Sequence, residues 1–457
     1  MAVKKILCIG AGYVGGPTMA VIADKCPDLV VEVVDISAER IAQWNSDDLP
    51  VYEPGLEEVV RRCRGRNLFF KVSSPQSVAD ADIVFVSVNT PTKELGEGAG
   101  MAPDLQYWEQ SARFLKPHLH DGAIIVEKST VPVRTAEAIS RILHDGQSGR
   151  HFPVLSNPEF LAEGTAIRDL TEPDRVLIGC EDDERGRAAA QALADVYRHW
   201  VPDARILLSN VWSSELSKLA ANAFLAQRIS SINSISALCE VTRADVTEIS
   251  RAIGTDSRIG PRFLEAGVGF GGSCFRKDIL NLSYICQQQG LTEVAAYWKS
   301  VVDMNDYQMT RFTHNIVARQ FNTVAGKRLA LFGFAFKPGT NDTRDSPAFY
   351  VCKKLLEEHA QIVITDPRAL DNAAYDLRGL AGDLHFEPDP YAAAAWAHAV
   401  VLVTHWNEFR ALDYQRIFDS MEKPASVFDG RNWLDAVALH KIGFNVYPLG
   451  KAPLVHY

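Results

Sequence analysis

The chain has 457 residues, 47% of them hydrophobic and 23% charged, and a formal net charge of −10. That length exceeds what one hydrophobic core serves and predicts about three domains. The acidic balance and the lack of a basic stripe exclude a nucleic-acid partner, and no apolar run reaches the roughly 20 residues of a membrane helix. The eight cysteines have no paired spacing and no C-x-x-C, which excludes a disulfide framework and a zinc site. No metal is expected, and a reducing, cytoplasmic setting fits. The residues from Met1 to Lys5, ahead of Ile6–Ile9, offer too short an apolar stretch for a signal peptide and read as the approach to a first strand.

That strand runs into Gly10-Ala11-Gly12-Tyr13-Val14-Gly15, a Gly-x-Gly-x-x-Gly turn opening an apolar helix through Met19, Val21 and Ile22. The first glycine allows the tight turn, the second lets a pyrophosphate approach the backbone, and the third lets helix and strand pack closely. A second strand, Leu29–Val34, ends in Asp35, where a carboxylate binds the ribose hydroxyls of NAD and disfavours the extra phosphate of NADP. Strand-like runs follow at Ile83–Val88, Ala123–Glu127 and Val176–Gly179, as in a parallel doubly wound sheet whose ligands gather at the carboxyl ends of the strands. Asn89-Thr90-Pro91-Thr92 and Lys128-Ser129-Thr130-Val131-Pro132 stand at two such ends. Turns rich in Ser, Thr and Pro suit most proteins, yet this position makes Thr130 a candidate for cofactor contact. The glycine-rich stretch Gly96–Pro103 has no strand feeding it and reads as a mobile surface loop.

From Ser213 a long helix is predicted, with Ser213 or Ser214 as its N-cap and Glu215 in its first turn. Leu216, Leu219, Phe224, Ile229, Ile232, Ile235 and Leu238 recur at threes and fours, and such a helix between two α/β units commonly forms a subunit interface. Lys218 and Asn222 are four apart and share a face; spacing alone leaves that lysine as solvated surface. The helical segment ends in Gly269-Phe270-Gly271-Gly272-Ser273-Cys274-Phe275-Arg276-Lys277-Asp278. A thiol at a turn of backbone N–H groups opening a helix, next to cations, is set up as a nucleophile, and the glycines leave no side chain between the sulfur and a substrate. The alternative is a buried cysteine beside a helix cap. A second α/β pattern starts at Arg328–Gly339 and continues through Gln361–Thr365, Ala399–Val403 and Ser426–Asp429 without the glycine fingerprint. There Lys337, Arg344 and Arg431 lie in loops near strand ends, where three cations clamp a diphosphate if they face it.

Taken together, these motifs resemble the UDP-glucose dehydrogenases, four-electron enzymes that oxidise a sugar alcohol to a carboxylate. The resemblance covers nearly the whole chain: Gly10–Gly15, Val88–Thr92, Met101–Leu105, Glu127–Pro132, Asn157-Pro158-Glu159-Phe160-Leu161, Gly269–Asp278 and Phe336-Lys337-Pro338. The block from Asn89 to Trp108 is similar to the animal and plant branch. The resemblance implies an α/β chain of two Rossmann-like doubly wound domains, an NAD domain over 1–208 and a UDP-sugar domain over 325–457, joined by a helical dimerisation domain over 209–324. It implies Cys274 as the catalytic thiol, Lys218 and Asp278 as general acid/base groups, Asn222 as an orienting amide, Glu159 for the hydrolytic step and Thr130 for placing water. NAD would contact Gly10, Gly12, Tyr13, Val14, Gly15, Asp35, Arg40, Val88, Asn89, Thr90, Ser129, Thr130, Glu163, Cys274 and Arg344. UDP-glucose would contact Glu159, Phe160, Leu161, Lys218, Asn222, Phe263, Phe270, Gly271, Phe275, Phe336, Lys337 and Arg431, with Arg258 reaching across a subunit interface. The implied assembly is a homodimer, or a hexamer built as a trimer of dimers. Two departures, Arg276 where relatives often have glutamine and Glu265 where some have lysine or asparagine, bear on sugar specificity. The rival readings are a related enzyme of a GDP- or N-acetylated sugar, a two-electron 2-hydroxyacid or phosphogluconate-type dehydrogenase, and a nucleotide-sugar sensor without turnover. Cys274, Lys218 and Asp278 together speak against the last two.

Overall fold

The computed structural model describes residues 3–146 and 149–456; Met1 and Ala2 of the amino-terminal reading, and Tyr457, lie outside them. The chain forms two compact units, Met1–Ala221 and Asn222–Tyr457.

The first unit is built on eight strands: β1 (Lys5–Ile9), β2 (Val30–Asp35), β3 (Leu68–Val72), β4 (Ile83–Val86), β5 (Ile124–Glu127), β6 (Val154–Ser156), β7 (Val176–Cys180) and β8 (Ile206–Asn210), in the order β3-β2-β1-β4-β5-β6-β7-β8. β1, β4 and β7 are apolar and buried on both faces, as strands of a helix-covered sheet must be. The sheet is not parallel throughout: β7 meets β6 antiparallel, with Ser156 opposite Gly179. The segment between them holds only a short helix, Ala166–Thr171, and without a full crossover the chain returns in the opposite direction.

The second unit has six strands, β9 (Arg328–Phe332), β10 (Gln361–Thr365), β11 (Asp383–Phe386), β12 (Ala399–Leu402), β13 (Ser426–Asp429) and β14 (Asn445–Pro448), all parallel in the order β11-β10-β9-β12-β13-β14. The helices Phe275–Gln288 and Thr292–Arg319 belong to this unit. Met309, Phe312 and Ile316 of the latter share a core with Leu329 and Leu331 of β9.

One helix of 32 residues, Val211–Thr242, carries the chain from the first unit into the second. Its start differs from the sequence expectation. Asn210 is the cap, its Oδ1 accepting from Ser213 N at 2.8 Å. Ser214 is buried instead and donates to the Ser156 carbonyl and hydroxyl. Glu215 is not in the first turn; its carboxylate accepts from Arg134 N and Ala136 N and so caps a different helix, Thr135–His144. Of the predicted apolar stripe, Leu219 and Ile232 are buried, whereas Leu216, Phe224 and Leu238 stand in solvent. Gly96–Pro103 is a closed loop tied by the Thr92–Pro103 bridge and by Lys93 N to Ala102 O at 2.8 Å.

Candidate active site

The glycine turn after β1 shows three different demands. A Cβ on Gly10, which has φ +104°, would collide with the Ser87 carbonyl, and one on Gly15 would collide with the Gly10 carbonyl and Cys8. At Gly12 a Cβ would meet nothing within 4 Å. The turn is therefore tight at its ends and open at its middle, the cradle a pyrophosphate needs at a helix N-terminus. Asp35 ends β2 and holds this corner, accepting from Ala11 N at 3.0 Å and Ser37 N at 2.9 Å, with Arg40 3.5 Å from the same carboxylate. Further along the edge, Thr90 donates to the Thr130 carbonyl at 2.9 Å and Ser129 to the Val88 carbonyl at 2.6 Å. These bonds lock the turns after β4 and β5 together. These residues fit NAD.

Beside β5 and β6 the first unit buries a cluster of charge. Glu159 Oε1 lies 3.1 Å from Lys218 Nζ, and both side chains are almost fully buried. The other carboxylate oxygen accepts from Leu161 N at 3.1 Å, fixing its direction. The Phe160 ring is flanked by the Arg175 guanidinium at 3.7 Å and the Lys218 ammonium at 5.6 Å. Lys218, which spacing alone reads as solvated surface, is thus a buried, paired ammonium. A second cation, Lys128, donates to Asn157 Oδ1 at 3.1 Å and Tyr197 OH at 3.3 Å. Burial pushes its pKa down to about 8, Glu159 opposing and Lys218 adding to the shift.

In the second unit Cys274 is the N-cap residue of the helix Phe275–Gln288. It is set apart from the other seven cysteines, all buried. Burial raises the pKa of each of those seven thiols, Cys8, Cys26 and Cys352 to about 12, and so keeps them inert. Ser273 Oγ lies 3.4 Å from the Cys274 sulfur. Asp278 N bonds back to the Cys274 carbonyl at 2.8 Å, closing the first helical turn. The buried Asp278 carboxylate accepts from Asn222 Nδ2 at 2.6 Å, so two of the predicted residues meet directly.

The glycines of this turn serve a purpose other than leaving the sulfur uncovered. A Cβ on Gly271 would strike the Asp345 carbonyl, and one on Gly272, at φ +88°, would sit 2.9 Å from the Phe336 ring. Gly272 N also donates to the Arg344 carbonyl at 2.8 Å. Close approach of the 336–345 segment is what excludes side chains. Asn305 clamps the turn from below, bonding both Phe270 N and Phe270 O, and Phe270 meets Phe275 edge-on at 5.7 Å. Arg276 is held by Asp306 through two bonds of 2.6 and 3.1 Å, which makes it a structural cation.

The three cations near the second sheet have separate fates. Arg344 is clamped by Asp342. Lys337 lies 5.5 Å from the Phe336 ring centre. Arg431 is no surface cation: it donates to Val403 O at 2.7 Å and Gly269 O at 3.2 Å, and burial lowers its pKa to about 10. Beside it His405 is pushed down to about 4, first by burial and then by Arg431, so it is neutral at pH 7. Arg258 is 87% exposed and clamped by Asp256 at 2.6 Å; Phe263, at φ +62°, is half exposed, 6.5 Å from the Phe275 ring. Sequence reasoning missed Lys128, Asn157, Tyr197, Asn305 and His405 as members of these clusters. Lys128 and Asn157 stood inside quoted motifs, but Tyr197 and Asn305 lie on helices with no local signal at all. Among the described residues no group of three or more His, Cys, Asp or Glu is placed to hold a metal ion. No helix among them is long and apolar enough to cross a membrane.

Comparison with known proteins gives the two sheets and the helices between them a family. Residues 4–201 match the NAD binding domain of the UDP-glucose/GDP-mannose dehydrogenase family, 212–307 its central domain and 330–436 its UDP binding domain. UDP-glucose 6-dehydrogenase 1 of Oryza sativa subsp. japonica is 60% identical over 466 residues, covering 98% of this chain and 97% of the relative. UDP-glucose 6-dehydrogenase 1 of Arabidopsis thaliana is 57% identical over the same shares. Among solved structures, a UDP-glucose dehydrogenase from Pyrobaculum islandicum superimposes with a TM-score of 0.85 at 32% identity, covering 98% of both chains. Fold and cofactor turn define an NAD-dependent oxidoreductase with two Rossmann-like sheets. The chain belongs to the UDP-glucose/GDP-mannose dehydrogenase family.

Proposed function

We propose that this protein oxidises UDP-glucose to UDP-glucuronate through a covalent thioester on Cys274. NAD, when bound, accepts a hydride in each of the two oxidations. A neutral Lys218 amine, or a water held with Asp278, takes the proton of the primary alcohol in the first. The Cys274 thiolate adds to the aldehyde carbon, forming a C–S bond and a thiohemiacetal oxygen that a Lys218 ammonium stabilises. Loss of hydride from that carbon leaves a thioester. Glu159, with Thr130 placing water, assists hydrolysis, which breaks the C–S bond, releases the carboxylate and returns the thiol. Asn222 orients the substrate and Asp278, and Phe336, Lys337 and Arg431 hold the nucleotide sugar with Arg344 toward NAD.

The observation that carries the reading is Cys274 itself: a half-buried thiol at a helix N-terminus, one turn from a buried carboxylate bonded to Asn222, in a chain whose other thiols are inert. The names of the 57–60% identical relatives support UDP-glucose over other nucleotide sugars. The test is stoichiometry. Two NADH should form per UDP-glucose consumed, and Cys274→Ser should give nothing beyond the first oxidation level; one NADH per sugar in the parent protein sinks the proposal. The same reading includes self-association. Phe224 at 60% exposed, Leu238 at 58% and Val241 at 83% form an apolar stripe on the long helix that a second copy of the chain would cover, and sedimentation of the purified protein tests it.

A further inference from the structure

Lys128 is a buried ammonium whose two hydrogen-bond acceptors, Asn157 Oδ1 and Tyr197 OH, are both neutral. The acceptors are themselves fixed. Tyr197 OH donates to Asn157 Oδ1 at 2.7 Å, Asn157 Nδ2 donates to Leu177 O at 2.8 Å, and Asn157 N donates to Glu127 O at 2.8 Å. A buried cation without a bonded carboxylate is costly, and a methionine would fill the space with less desolvation. What the charge does is therefore to be sought in its surroundings. Four titratable groups face it: Glu159 from the segment after β6, Lys218 from the long helix, Cys8 from β1 and Tyr197 from the helix Glu184–Tyr197. Burial pushes the Cys8 thiol up to about 12 and raises the Tyr197 phenol as well, so both are neutral at pH 7. Glu159 and Lys218 remain, already joined at 3.1 Å.

We infer that Lys128 is a positioning residue that makes Glu159 answer to two cations, so that Lys218 gives up its proton at a lower pH than the Glu159–Lys218 pair alone would allow. Coulomb repulsion is mutual: whatever Lys218 does to the protonation of Lys128, Lys128 does to that of Lys218. Asn157 and Tyr197 hold the ammonium in place without neutralising it, which a carboxylate partner would do. The inference rests on the proposed role of Lys218 as base, and it names the device that lets a buried, ion-paired lysine lose its proton.

The test compares Lys128→Met, Lys128→Gln and Lys128→Arg with the parent, reading kcat/KM for UDP-glucose from about pH 6 to about pH 10, NADH per sugar, and thermal melting. Without the second cation Lys218, relieved of a like charge, holds its proton to higher pH. The acidic limb should therefore move up by about one pH unit in the Met and Gln variants, with activity about tenfold down at pH 7 and close to parental at the alkaline end. The Arg variant, which keeps the charge, should leave the limb in place whatever it does to kcat. Unchanged limbs in folded Met or Gln variants, or an equal displacement in the Arg variant, overturn the inference. One NADH per sugar in the parent would instead overturn the proposed function, leaving the limb comparison to decide this inference by itself.

Discussion

Both sheets turn the same corner with a glycine and a carboxylate. Gly10 N donates to Val34 O and Gly333 N to Thr365 O, each at 2.8 Å. A Cβ at Gly10 would strike Ser87 and one at Gly333 would strike Thr404, which stand one and two residues past the ends of the neighbouring strands β4 and β12. Asp35 and Asp366 then bind the N–H groups just past each glycine. Beyond that the two corners part. Two residues past the corner glycine the first has Gly12, with open space at its Cβ, while the second has Ala335, which is buried, and the contacts of Asp366 multiply. It accepts from Phe334 N, Ala335 N, Arg368 N, Ala369 N and Trp406 Nε1. One backbone solution thus serves two ends: an open corner can admit a phosphate, and a filled one is structural.

The sharpest way to break this comparison is to remove the two carboxylates. Asp366→Ala leaves five donors, four of them buried, to find new partners and should cost about 3–5 kcal/mol in urea unfolding, whereas Asp35→Ala should cost about 1–3 kcal/mol while weakening NAD. Equal stability losses would mean that the first corner is as structural as the second. Glycine substitutions come next. Gly15→Ala overpacks the turn against the Gly10 carbonyl and should cost about 1–3 kcal/mol. Gly12→Ala should leave stability within about 0.5 kcal/mol, yet raise the NAD concentration for half-saturation about tenfold if the open space is the pyrophosphate seat.

A smaller effect distinguishes the ends of β5 and β13, which hold the same place in the two sheets. Glu127 pairs in register with Val86 of β4, and Asp429 with Leu402 of β12. Both are buried and burial raises both pKa values; Glu215 adds its charge to Glu127, whereas backbone N–H groups, Leu434 N at 2.8 Å among them, oppose the shift at Asp429. A carboxyl that binds its proton more readily folded than unfolded gives its full stability below the ordinary carboxylate range. That contribution is lost as pH rises through the raised value. Glu127→Gln should therefore flatten the fall of stability with rising pH above about pH 4 at little intrinsic cost. Asp429→Asn should flatten it too, but at an offset of about 1–3 kcal/mol, because an amide cannot accept from both Arg431 N and Leu434 N. Melting temperature against pH for the two variants checks this.

Legibility in the sequence followed burial. Buried strands such as β1, β4, β12 and β13 stand out as apolar runs, and Gln361–Thr365 and Ser426–Asp429 have the bounds expected of them. The strands that were missed are β6, of only three residues, and β3, β8, β11 and β14, which are the four sheet edges. An edge strand has one neighbour and much of its surface in solvent, so its pattern fades: β8 has no buried residue and β11 none either. The N-cap of the long helix shows the same limit, since Ser214 and Glu215 were claimed by partners at Ser156 and Arg134, distant in sequence.

The sequence by itself determined the glycine turn with its carboxylate, the doubly wound pattern, the long helix and the Cys274 turn, because each is written in a few adjacent residues whose backbone needs are local. It also carried the resemblance that the comparisons with known proteins then confirmed. Only the tertiary structure decided that Lys218 is buried against Glu159, that Asn222 bonds Asp278, that seven thiols are sealed while Cys274 is not, and that Arg276 and Arg344 are each paired with a carboxylate. Charge, burial and reactivity depend on what the fold brings within a few ångströms, and residues 59 positions apart, as Glu159 and Lys218 are, have no local pattern through which to announce it.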